Sequence, residues 1–128
     1  MVPARRLRGM AFCILALGAA AAAGSSVPGV EERVRRVEAL LDAARFRDAA
    51  REAPNVRHEV LAMPPTAASR RLLVRTEIAA GTAALALRQE NAARSCFLRA
   101  LQLDPALALA ANTSPKVRRA LDSAREGN

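Results

Sequence analysis

The chain has 128 residues and a formal net charge of +8, from 20 basic and 12 acidic side chains. Once an N-terminal leader is set aside, this length supplies the core of one domain and is too short for two. One His, two Cys and no Tyr or Trp leave almost no side chains for a catalytic set or a metal site, so the composition argues against an enzyme and against a cofactor.

The first 24 residues have the composition of a secretory signal peptide. Three arginines among the first eight residues form a positive segment, and residues 10–23 are all apolar or small. This run of about 14 residues is shorter than the roughly 20 that span a bilayer, so we expect a cleaved signal over residues 1–24. Cys13 lies inside the run and not at its end, so no lipoprotein cleavage box is evident. The protein is therefore predicted to be periplasmic or secreted.

The remaining chain of about 104 residues carries a net charge of +5 and one thiol, Cys96, so no internal disulfide can form. All basic residues except Lys116 are arginine. The net positive charge affects solubility and non-specific attraction but does not determine the fold. Nucleic-acid binding is disfavoured by the export signal and by the lack of aromatics for base stacking, since Phe46 and Phe97 are both expected inside. Weak, salt-sensitive contact with anionic lipid or acidic polysaccharide stays open.

Apolar residues recur at helical spacing after a linker predicted at residues 25–29. The predicted helices cover about 30–44, 48–63, 67–88, 91–103 and 115–126. Thr66 and Ser114 are expected to cap the third and fifth helices, and Pro54 to kink or break the second, with Asn55 capping a restarted helix. No segment alternates like a strand, so the fold class is all-α, as stacked antiparallel hairpins.

One stretch near the middle of the chain, from Glu77 to Pro105, carries a family resemblance. Small, aromatic and proline residues fall there where a tetratricopeptide repeat has them: Gly81, Ala93, Phe97, Ala100 and Pro105. Residues 74–105 therefore resemble one repeat of about 34 residues, although Glu77 and Ala84 stand where the family prefers larger aromatic side chains.

The rest of the chain follows the repeat pattern more loosely. Residues 30–63 are interpreted as a degenerate hairpin, because Ala49 and Ala93 are 44 positions apart instead of about 34. Residues 115–126 are interpreted as a terminal helix that covers the open end of the stack. The helical domain then runs over residues 30–128 and resembles small exported bacterial tetratricopeptide proteins.

The resemblance implies a function in holding another protein. Its concave groove would bind a peptide or helix of an envelope protein through Arg75, Ile78, Thr82 and Leu85, although Ile78 and Leu85 at helical spacing are more often core residues. A short stack also predicts self-association, since repeat arrays usually need about three units. The alternative is a structural or polyanion-binding and anionic-lipid-binding envelope protein.

The reactive side chains of the sequence do not predict a catalytic site. His58 stands alone and would have to borrow metal ligands that lack suitable spacing. Cys96 precedes Phe97 on the predicted buried side of its helix, where a thiol packs as a small apolar group and is inert. A non-enzymatic interaction module is therefore the predicted function.

Overall fold

The computed structural model describes residues 27–127, and the predicted signal peptide over residues 1–24 lies outside this range. The described residues form five helices and no strand, which confirms the all-α fold class. The helices are α1 (Val27–Asp42), α2 (Phe46–Leu61), α3 (Ala67–Ala86), α4 (Glu90–Leu103) and α5 (Pro115–Glu126). Among them, none is both long enough and apolar enough to cross a bilayer.

Two predicted boundaries at the start of helices are wrong. Helix α1 begins at Val27, so residues 27–29 of the predicted linker at 25–29 are helical. Pro28 is compatible with this start, because the first turn of a helix has no partner for its N–H groups. Helix α2 begins at Phe46 and not after it, and the Phe46 ring is only half-buried.

Of the kink or break predicted at Pro54, the break does not occur. Helix α2 runs without interruption from Phe46 to Leu61, so Asn55 does not cap a second helix. Proline removes the hydrogen bond to the carbonyl four residues earlier, which is costly when that carbonyl is buried. Pro54 and Asn55 are exposed, whereas Ala53 and Val56 are buried, so the proline lies on the solvent-facing side of a continuous helix.

Polar caps define the starts of α3 and α5. The Thr66 side chain accepts a hydrogen bond from the Ser69 backbone N–H at 3.1 Å, and the Thr66 N–H donates to Ser69 Oγ at 2.8 Å. This reciprocal pair satisfies two N–H groups that the first turn leaves without helical partners. The Ser114 hydroxyl likewise accepts from the Lys116 N–H at 3.2 Å, with Pro115 at the first helical position.

The two hairpins, α1–α2 and α3–α4, have the same turn. Ala44 and Arg88 are the non-glycine residues with positive φ in the described range, at 58° and 60°. The backbone hydrogen bond from Arg45 to Leu40 has its counterpart 44 positions later, from Gln89 to Ala84. The neighbouring turn bonds repeat at the same offset, so the two hairpins share one turn geometry.

The core has two clusters that meet at α3. One cluster joins α1, α2 and α3 with Cys96 of α4, and the other joins α3, α4 and α5. Gly81 lies where α3 and α4 approach each other: a Cβ added to it would lie 2.7 Å from Cε1 of Phe97, whose side chain is fully buried. The glycine is thus required by a close helix approach, which offsets its low helix propensity.

Candidate functional site

A buried acid lies at the junction of the two hairpins. Glu77 on α3 is 1% exposed, although it belongs to a helix stripe that is otherwise apolar or small. Its carboxylate accepts hydrogen bonds from the Nε–H groups of Arg57 on α2 and Arg99 on α4, the latter at 2.5 Å. A buried carboxylate is tolerated only when it is paired and hydrogen-bonded, and here each oxygen has its own guanidinium.

This three-residue cluster has more positive than negative charge. Two guanidinium groups share one carboxylate, and the side chains of Arg57 and Arg99 remain 23% and 46% exposed. Burial alone lowers the pKa of Arg99, but the hydrogen bond and the charge of Glu77 raise it above its ordinary value. The cluster therefore carries one net positive charge that is accessible from solvent on the arginine side.

The single thiol of the described chain packs against the same cluster. Cys96 is 6% exposed, and its Sγ accepts weak hydrogen bonds from the Nη2 atoms of Arg99 at 3.4 Å and Arg57 at 3.9 Å. Burial raises the pKa of the Cys96 thiol, and the charge of Glu77 raises it further. Arg99 and Arg57 lower this pKa, but by less, so the net shift is upward. A protonated, buried thiol is a poor nucleophile, so the geometry gives Cys96 a packing role.

Next to the cluster lies an open apolar surface, formed where the end of α2, the start of α3 and the end of α4 meet. Two adjoining depressions of about 220 and 260 Å³ share three leucines as walls. We call this area the Leu73 surface; it consists of Leu61, Met63, Leu73 and Leu103, rimmed by Arg57, Arg70 and Arg99.

The Leu73 surface contains the most exposed large apolar side chain of residues 27–127. Leu61 is 63% exposed, and among residues 27–127 the other exposed large apolar side chain is Val27, at 40%. The leucines of this surface adjoin the positively charged cluster of Arg57 and Arg99.

The four predicted groove residues lie along one side of α3, where three are half-buried and one is buried. Leu85 is 8% exposed and packs in the core beside α5. Arg75 is held by Glu38 of α1, with Nη2 2.5 Å from Oε1. Ile78 and Thr82 are half-buried, and the Thr82 hydroxyl donates to the Ile78 carbonyl at 2.8 Å.

The residues that carry the repeat resemblance occupy structural positions. Ala93, Phe97 and Ala100 are buried on the face of α4 that packs against α3, and Gly81 faces the Phe97 ring. Pro105 is exposed and lies just beyond the end of α4. These residues shape the hairpin and offer no reactive group to a ligand.

Other reactive groups do not assemble into a site. His58 is exposed on α2. Across the described part of the chain, no three His, Cys, Asp or Glu side chains come together in a way that could hold a metal ion.

Comparison of the chain with protein-family models, with curated proteins and with solved structures gave no match. The tetratricopeptide resemblance therefore stays a prediction.

Sequence reasoning missed the ion cluster of Arg57, Glu77 and Arg99. A signal was present: Glu77 lies one helical turn from Gly81 and from Leu73, on a face that the periodicity predicts to be buried. A charged residue on such a face requires a partner of opposite charge. Its partners lie 20 and 22 positions away in the sequence, so only the packing of α2 and α4 identifies them.

Proposed function

We propose that this protein is a non-enzymatic, tetratricopeptide-like interaction module of the bacterial cell envelope. Its partner would be another envelope protein that presents a segment with apolar and acidic side chains to the Leu73 surface. The observation that carries the proposal is the coexistence, on one surface, of an exposed leucine with two arginines, Arg57 and Arg99, that share one buried counter-charge, Glu77.

The charge balance of the surface supports this choice of partner. Arg57 and Arg99 share one carboxylate, and Arg70 is exposed at the start of α3. A partner segment with acidic residues would find complementary charge at the rim, and its apolar side chains would cover leucines that now contact water. A segment with basic residues would be repelled.

Two structural observations favour the Leu73 surface over the concave groove implied by the resemblance. Leu85 is already in the core, and Arg75 is already engaged by Glu38. A partner in that groove would have to displace existing contacts, whereas a partner at the Leu73 surface only replaces water. The repeated hairpin turn supports the tetratricopeptide-like interpretation, because repeat proteins use one structural unit more than once.

Site-specific photo-crosslinking tests the proposal. A photoreactive amino acid at position 103, on the Leu73 surface, should form a crosslink with one envelope protein, and mass spectrometry of the crosslinked peptide should identify an apolar and acidic segment. The same amino acid at position 92, which is exposed on α4, serves as the control and should not give this product.

A matched pair of surface variants then measures the contribution of the apolar contact. Leu61→Asp should weaken binding of the identified segment by at least about tenfold, because truncating a central interface anchor usually costs that much. Val27→Asp changes the other exposed apolar residue, lies outside the surface, and should leave binding unchanged. Equal binding by wild type and Leu61→Asp would refute the assignment. Salt-dependent binding to anionic vesicles without any protein crosslink would instead favour a lipid-binding role.

A further inference from the structure

The two arginines of the ion cluster have N–H donors that make no hydrogen bond within the described residues. Each of Arg57 and Arg99 uses Nε for Glu77 and directs Nη2 at the Cys96 sulfur, which is a weak acceptor. Within residues 27–127, neither Nη1 donates a hydrogen bond. The cluster thus has unused donors as well as one unbalanced positive charge.

These donors border a depression of suitable size for a side chain. The depression next to Arg57 and Arg99 holds about 220 Å³, and Leu61, Leu73 and Leu103 form its apolar walls. Whole small-molecule ligands occupy pockets of about 300–1,000 Å³, so this space suits one or two side chains of a larger partner better than a complete ligand.

We infer that Arg57 and Arg99 form a subsite for one Asp or Glu carboxylate of the partner, with an adjacent apolar side chain of the partner against Leu73. The inference rests on the proposed function and specifies its central contact. Guanidinium groups bind carboxylates through paired N–H donors, and they do so best when their orientation is fixed in advance. Glu77 is the positioning residue, because it holds both guanidinium groups by Nε beside the depression that all three residues line.

Titration with a small mimic tests the subsite without a known partner. The probe is 4-methylpentanoate, which joins a carboxylate to a leucine-like chain, and the matched neutral probe is 4-methylpentanamide. With ¹⁵N-arginine-labelled wild-type protein, the acid should shift the side-chain NMR signals of Arg57 and Arg99 in a saturable way. The amide should bind at least tenfold more weakly.

An internal control is available on the same helix as Arg57. Arg47 is exposed on α2, ten positions from Arg57 and therefore about 15 Å away along the helix. Its signal should not shift at acid concentrations that saturate Arg57. Equal shifts at Arg47 would show general attraction to arginine and would overturn the inference, as would equal binding of the acid and the amide.

Variants separate geometry from charge. Arg99→Gln should weaken binding of the acid at least tenfold, and Arg99→Lys should restore only part of it, because lysine keeps the charge but lacks the fork of donors. Full binding by Arg99→Lys would overturn the geometric claim. The wild-type titration decides the question even where a variant fails to fold.

The outcome is distinguishable from failure of the proposed function. Saturable binding of the acid with no crosslinked protein at position 103 would leave the subsite in place and refute the protein partner. A crosslinked partner, together with no effect of the acid on Arg57 and Arg99, would support the protein partner and refute the subsite. If Arg57 and Arg99 respond to phosphatidylglycerol vesicles but not to the acid, the arginines belong to a membrane-binding surface and the subsite is overturned.

Discussion

Gly81→Ala is the substitution for which the structure and local helix propensity predict opposite results. Alanine in place of a helical glycine gains about 1 kcal/mol from propensity alone. The new Cβ, however, would lie 2.7, 2.9 and 3.1 Å from three carbons of the Phe97 ring, where carbon atoms prefer about 3.5–4.0 Å. The ring would therefore have to move by about 1 Å.

The cost of that movement is high because Phe97 has no free space. Its side chain is 0% exposed and packs between α3 and the cluster that includes Leu121 of α5. Overpacking of a filled core costs about 1–3 kcal/mol, and this site is at the upper end because the ring is rigid. After the propensity gain is subtracted, we expect Gly81→Ala to destabilise the protein by about 1–2 kcal/mol, or roughly 5–15 °C in Tm.

Chemical denaturation followed by circular dichroism measures this change. Ala92→Gly on the exposed side of α4 calibrates the propensity term in the same protein and should cost about 1 kcal/mol. The second substitution Phe97→Leu removes the two ring carbons closest to the new methyl group, so it should cost less in the Gly81→Ala background than in wild type. A gain of about 1 kcal/mol for Gly81→Ala alone would refute the packing described for α3 and α4.

Four further perturbations test separate parts of the structure. Glu77→Gln should cost about 2 kcal/mol in urea denaturation, because it leaves two guanidinium groups without a counter-charge but partly in water; no change would mean that the acid is not paired. Pro54→Ala should stabilise the protein by about 1–3 kcal/mol, since α2 is continuous there, and a loss of stability would contradict that continuity. Thr66→Ala removes the cap of α3 and should lower the free energy of unfolding by about 1 kcal/mol, whereas an unchanged value would argue against the cap. Burial raises the pKa of Cys96, so its alkylation at pH 8 should be at least about tenfold slower in the folded protein than in denaturant. Because the folded protein favours the protonated thiol, the stabilisation from burying Cys96 is complete below the thiol pKa of the unfolded chain. This stabilisation should be lost as the pH rises above about 9.

Several elements of the fold could be predicted because their causes are local. The caps at Thr66 and Ser114 follow from hydroxyl side chains placed directly before apolar periodic segments. The terminal helix occupies Pro115–Glu126, which coincides with the predicted range. The packing of Phe97 against Gly81 was suggested by a glycine whose cost within a helix calls for a close neighbour.

Other elements could not be predicted because they depend on which face of a helix meets water. Pro54 breaks a helix when its freed carbonyl is buried, and the sequence does not state on which side of α2 that carbonyl lies. The surroundings of the predicted groove residues depend on the same information: only the structure shows that Leu85 packs in the core with α5 and that Glu38 engages Arg75.

The amino-acid sequence by itself determined the helical class and the pairing of α3 with α4, because periodicity, caps and small residues act within one or two turns. Only the tertiary structure decided that Glu77 is buried between Arg57 and Arg99 and that leucines from three helices form one surface. The physical reason is the separation along the sequence over which each interaction acts. Helix formation depends on neighbours three or four positions apart, whereas the compensation of a buried charge depends on groups that folding brings together from distant parts of the chain.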